Sequence, residues 1–80
     1  MSESISIELK RAAVTLAEEL DYQKAAQQLG TTREDVVIRI TSLEVQLCVY
    51  IFKRFQDNVE LTQEGQFLVH AFRDSLVYFS

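Results

Sequence analysis

The stretch DYQKAAQQLGTTREDVVIRITSLEVQL, residues 21–47, decides how the chain folds. Tyr22, Ala25, Ala26 and Leu29 recur at i, i+3, i+4 and i+7, which is one complete apolar stripe of a short helix. Asp21 stands before that stripe as an N-cap. Gly30 stops it, because glycine accepts the left-handed conformation without penalty. Thr32 caps a following helix that runs to about Leu47, with Val36, Ile40, Leu43 and Leu47 as its buried stripe. Ala25 and Ala26 let the two helices approach closely, Leu29 and Val36 hold the corner, and Gly30-Thr31-Thr32 make the turn. The pattern predicts two helices across a short turn, the second with one side left free.

On the N-terminal side, residues 1–4 are expected to be loose. A helix is expected from about Ser6 to Leu20, because Leu9, Ala13, Leu16 and Leu20 recur at helical spacing. Ser6 can cap it, and Glu8 lies in the favourable first turn. On the C-terminal side, Val49 to Phe55 is rich in β-formers. Gln56-Asp57-Asn58 supplies turn residues and Val59-Glu60-Leu61 a second strand, so a short hairpin is expected. Thr62 caps a last helix ending near Phe79. The scarcity of breakers, two glycines and no proline, favours helices throughout. The expected fold is mainly α: a winged helix-turn-helix with a three-helix core, a β-hairpin wing and a long C-terminal helix. Residues 1–80 would form one domain, with the helix-turn-helix at 22–47, the wing at 49–61 and the last helix at 62–79.

Composition removes whole classes of function. A chain of 80 residues with one histidine, one cysteine and no glycine-rich loop offers no nucleophile–base pair and no metal set. No enzyme, catalytic residue, metal or cofactor is therefore expected. Cys48 reads as a small apolar residue, and His70 as a structural one. With a single cysteine there is no internal disulfide, and a reducing compartment fits. No basic-then-apolar leader opens the chain, and no apolar run approaches the ~20 residues of a membrane span. A bacterial cytoplasmic protein with no membrane partner is the expectation. The net charge of −4 argues against long-range attraction to nucleic acid.

At ~100° per residue, the stripe Val36, Ile40, Leu43 and Leu47 fixes which way the third helix faces its core. Opposite lie Glu34, Ile38, Thr41 and Val45, with Asp35 and Ser42 at one flank. Arg33 and Arg39 project nearer the margins of the core. Glu34 and Asp35 suit a first helical turn, where the dipole favours carboxylates. Ile38 and Val45 are either scattered surface apolars or an exposed patch that contacts protein.

From Ala17-Glu18-Glu19 to Gly65 the chain resembles the start of LysR-type transcription regulators. The matching positions are Lys24-Ala25-Ala26, Leu29, Thr32, Ile40, Leu43-Glu44, Leu47, Phe52, Arg54, Val59 and Leu61-Thr62-Gln63-Glu64-Gly65. In the first helix it departs, since Lys10 and Ala13 replace apolar or aromatic residues that the family favours. The resemblance implies that the third helix reads double-stranded DNA in the major groove and that the wing touches the phosphate backbone. The candidate DNA-binding residues are then Thr32, Arg33, Glu34, Val37, Ile38, Thr41, Ser42, Lys53 and Arg54, with Arg39 and Lys24 as further phosphate candidates. Arg54 would meet either a phosphate or the Glu44 carboxylate. The family commonly has basic residues in the wing, where this chain has Asp57, Asn58 and Glu60. A separate effector-binding domain usually follows in that family and is not within these 80 residues. The chain is either an excised part or a lone domain.

Phe67, Leu68, Ala71, Phe72, Leu76 and Phe79 form a stripe along the last helix, widened by Val69, Val77 and Tyr78. This is more apolar surface than one packed face needs. The excess, together with the resemblance, predicts a homodimer through this helix. Two functions stay open at this level. One is a sequence-specific DNA-binding regulator acting as a dimer. The other is a protein-interaction module that keeps the fold, has weak or no DNA affinity because its face and wing are acidic, and meets a partner through the outward side of the third helix.

Overall fold

Each helix opens at a side-chain cap that the sequence names. In the computed structural model, which describes residues 5–56 and 58–77, Ser6 Oγ accepts from the Leu9 amide at 3.2 Å and starts α1 (Ile7–Glu19). Asp21 Oδ1 accepts from the Lys24 amide at 2.9 Å and starts α2 (Tyr22–Leu29). Thr32 Oγ1 accepts from the Asp35 amide at 3.1 Å and starts α3 (Arg33–Leu47). Thr62 Oγ1 accepts from the Gly65 amide at 2.9 Å and starts α4 (Gln63–Val77). Each bond satisfies an amide that the helix itself leaves unpaired. Residues 1–4, Asp57, Tyr78 and Phe79, on which some of the expectations fell, lie outside the described residues.

α1, α2 and α3 end in the left-handed conformation at Leu20 (φ 56°), Gly30 (φ 68°) and Cys48 (φ 57°). Only Gly30 was legible as a stop. Cys48 closes α3 with its amide directed at the Glu44 and Val45 carbonyls. Cys48, read from sequence as a small apolar residue, is exposed. The backbone, not the side chain, places it there.

Between α3 and α4 stands a two-stranded antiparallel hairpin, β1 (Phe52–Phe55) and β2 (Asn58–Leu61), with Phe52 opposite Leu61 and Phe55 opposite Asn58. The strand expected over 49–55 is shorter because Ile51 is engaged elsewhere. Its amide donates to Glu44 Oε2 at 2.8 Å, and its carbonyl accepts from the Thr62 amide at 2.9 Å. Gln56, at φ 58°, turns the hairpin. The Val59 amide donates to the Leu20 carbonyl at 3.1 Å, so β2 is stitched to the corner between α1 and α2.

The core gathers Ala12, Ala13 and Leu16 from α1, Ala25 and Ala26 from α2, and Val36, Ile40 and Leu43 from α3. Tyr22, Ile51, Phe52 and Val59 close it from the wing side. The alanines keep α1, α2 and α3 close together, and burial of the larger side chains supplies the main driving force. α4 lies along α1 and buries Gly65, Val69 and Phe72, with Leu68 and Leu76 half-buried. Lys10 Nζ donates to Ser75 Oγ at 2.6 Å across that contact. Phe72 is 5% exposed, so it belongs to the core rather than to the dimer stripe in which the sequence placed it. The cause is the spacing 65, 69, 72, 76, which turns one helical face inward. Phe67, Ala71 and Val77 stay on the outer side.

Candidate nucleic-acid interface

Val36, Ile40 and Leu43 are fully buried, so the opposite side of α3 faces solvent. Glu34, Ile38, Thr41 and Val45 form one exposed row down that side, and Ser42 is exposed beside it. Ile38 is 65% and Val45 70% exposed, high values for residues of this size. The structure brings Thr32, Glu34, Ile38, Thr41 and Ser42 onto this helix surface as expected. Val37 and Arg33 are half-buried, and Val37 packs against the core at the margin of the row. Lys53 and Arg54 sit on β1, away from the helix in sequence but on the adjoining wing.

One of the acids that made this surface look acidic, Asp35, is engaged within its own helix. Arg39 Nε lies 2.8 Å from Asp35 Oδ2, an i,i+4 pair, and the Thr31 hydroxyl donates to the same oxygen at 2.8 Å. Both partners are about one-third exposed, so solvent screens the pair and its worth is small. Its local effect is to hold Asp35 along the first turn of α3. The Arg33 guanidinium lies over the Tyr22 ring, 5.4 Å from its centroid, within cation–π range. Lys24 and Lys53 are exposed and make no ion pair among the described residues.

Arg54 meets Glu44, one of the two partners the sequence left open. Its Nη2 donates to Glu44 Oε1 at 3.1 Å, and its Nε donates to the Tyr22 hydroxyl at 2.8 Å. Glu44 is only 6% exposed. Its second oxygen accepts from the Ile51 amide at 2.8 Å and the Phe52 amide at 3.2 Å. A buried carboxylate needs such partners, because burial without them costs several kcal/mol, on the order of 3–5. Burial alone would lower the Arg54 pKa, but the Glu44 carboxylate and the Tyr22 phenol outweigh it and raise the guanidinium above its ordinary value. A raised value in the folded state means the contribution is complete at lower pH and is lost only in strong alkali. This network joins α2, α3 and β1, and it fixes the wing relative to the exposed row.

Sequence reading named Glu44 as one of two possible partners of Arg54, but missed Tyr22 and the hold of Glu44 on the Ile51 and Phe52 amides. A tyrosine within an Ala/Leu stripe carries a hydroxyl that needs a partner when buried, and that was the available signal. Among the described residues no group of three His, Cys, Asp or Glu side chains could hold a metal. His70 is exposed and lies 3.7 Å from Asp74 on its own helix.

The model of the lysR family of bacterial regulatory helix-turn-helix proteins matches residues 7–66. The HTH-type transcriptional regulator XapR of Escherichia coli (strain K12) is 35% identical over 71 residues, covering 89% of this chain and 24% of XapR. The chain thus spans about a quarter of the length of that curated relative. Among solved structures, BenM_DBD in complex with benA site 1 DNA superimposes with a TM-score of 0.88 at 25% identity, covering 94% of this chain and 84% of that one. A full-length OxyR variant from Pseudomonas aeruginosa gives 0.89 at 28% identity, covering 94% and 25%. With three helices, a hairpin and a fourth helix in the same order and a family match across most of its length, this chain belongs to the lysR family of bacterial regulatory helix-turn-helix proteins.

Proposed function

We propose that residues 1–80 act as one winged helix-turn-helix unit that binds double-stranded DNA and serves transcriptional control in the bacterial cytoplasm. The family is one of regulators, not of enzymes. The exposed row Glu34, Ile38, Thr41 and Val45 carries the reading: α2 and the wing clamp α3 so that this side is left outward. A helix held that way fits the major groove, which is about 12 Å wide. Thr32 at the start of α3 and Lys53 on the wing are then positioned for phosphate contacts, and Thr41 and Ser42 for base edges. BenM_DBD, which shares the fold, is solved with DNA.

A second copy would pair through the outer side of α4, where Phe67 and Val77 are 74% and 71% exposed. A two-fold pair presents two α3 helices to a pseudo-palindromic site. Among the described residues no helix is long and apolar enough to cross a membrane. The alternative of a module without DNA affinity gains no support. Asp35, one of the acids that motivated it, is paired with Arg39.

Fluorescence anisotropy of a labelled pool of random-sequence duplexes, titrated with the chain at several salt concentrations, tests the proposal. Binding that weakens steadily with salt is expected, and Lys53→Ala should flatten the log–log slope by about one. A folded chain with no affinity at low salt would refute it.

A further inference from the structure

The exposed row of α3 has an unusual chemistry for a base-reading surface. Guanine offers two acceptors in the major groove and is met by arginine or lysine, whereas thymine offers a C5-methyl group and is met by apolar side chains. No basic residue lies in the row Glu34, Ile38, Thr41, Val45. The two arginines of the helix are already engaged at its margins, Arg39 with Asp35 at 2.8 Å and Arg33 over the Tyr22 ring. The middle of the row is instead Ile38, 65% exposed, with the Thr41 hydroxyl and methyl beside it one turn on and the half-buried Val37 at its flank. Ile38 is 65% exposed on the helix side that faces away from the buried Val36, Ile40 and Leu43, and it loses apolar contact unless something covers it.

We infer that Ile38 is a specificity-determining residue that reads the 5-methyl group of thymine, with Thr41 offering its hydroxyl to the neighbouring base edge. The inference rests on the DNA-binding reading above and deepens it. The site would carry a thymine under Ile38 in each half. Covering one methyl group corresponds to about fourfold in affinity.

The test starts from duplexes selected by the 80-residue chain out of a random-sequence pool. In the selected site each thymine is replaced singly by deoxyuridine, which keeps the base pair and O4 and removes only the methyl. For the wild-type chain, one replacement per half-site should weaken binding about fourfold. For Ile38→Ala the same replacement should cost less than about twofold, because the double-mutant cycle removes the shared contact. Circular dichroism of Ile38→Ala checks that the helix content is unchanged. A specific site at which every uracil replacement is silent would overturn the inference while leaving DNA binding intact. So would an equal loss in wild type and Ile38→Ala, since another residue would then read the methyl. Failure to select any duplex would overturn the DNA-binding reading itself and this inference with it.

Discussion

The Glu44 carboxylate and the Arg54 guanidinium, ten residues apart in sequence, meet at 3.1 Å where the third helix hands the chain to the wing. The other Glu44 oxygen holds the Ile51 and Phe52 amides. One buried side chain therefore fixes the exit from α3, the start of β1 and, through Arg54, the Tyr22 hydroxyl on α2. Glu44→Ala leaves two amides and a guanidinium without their partner. A loss of about 3–5 kcal/mol is expected, against a total of about 8 kcal/mol for a domain of this size at ~0.1 kcal/mol per residue. Glu44→Gln keeps an acceptor and should lose roughly half as much. Arg54→Ala should fall below Glu44→Ala, because Arg54 is partly solvated and the amides remain bonded. Urea denaturation of the three variants checks the order.

Gly65 is needed for space rather than for backbone conformation. A Cβ there would fall on the Ile51 carbonyl oxygen and within 3.0 Å of the Ile51 Cγ2. Backbone atoms cannot swing aside as a flexible side chain can. Gly65→Ala should destabilise by about 3 kcal/mol, read from the shift in denaturation midpoint. A neutral result would mean that α4 does not sit against Ile51.

Cys48 holds a left-handed C-cap at φ 57°, a conformation that costs a residue with a Cβ about 1 kcal/mol relative to glycine. Its side chain is exposed and contributes little packing. Cys48→Gly should therefore stabilise the domain by up to about 1 kcal/mol, with a higher thermal midpoint. A lower midpoint would show that the thiol or its contacts matter more than the cap.

Phe67 is 74% exposed on the outer side of α4. If a second copy covers it, Phe67→Glu should cost about 2 kcal/mol of association, roughly thirtyfold, with the fold retained. Sedimentation equilibrium across a concentration series measures this directly. Unchanged self-association would place the dimer contact elsewhere.

Much of this fold is written locally in the chain. Ser6, Asp21, Thr32 and Thr62 each bond an amide three residues on, so a cap is visible in a short window. The stripe Val36, Ile40, Leu43 is equally local, and it identified the outward row of α3 correctly. The left-handed ends at Leu20 and Cys48 were hidden, because neither residue favours that conformation. α4 is apolar on two sides, so periodicity could not separate Phe72, which is buried in the core, from Phe67, which is exposed. The Arg54–Glu44 contact was one of two alternatives the sequence offered, but the Tyr22 member of the network was illegible for a different reason. The network's members come from three elements, and only the packed corner brings them within hydrogen-bonding distance.

The central claim is that the outward side of α3 is the surface that meets DNA. The most direct measurement is a backbone amide NMR titration of the chain with a selected duplex. The expected result is that shifts concentrate on Thr32 to Val45 and on Lys53, while the outer side of α4 stays quiet. Shifts confined to α4, with Ile38 and Thr41 unmoved at saturation, would contradict it.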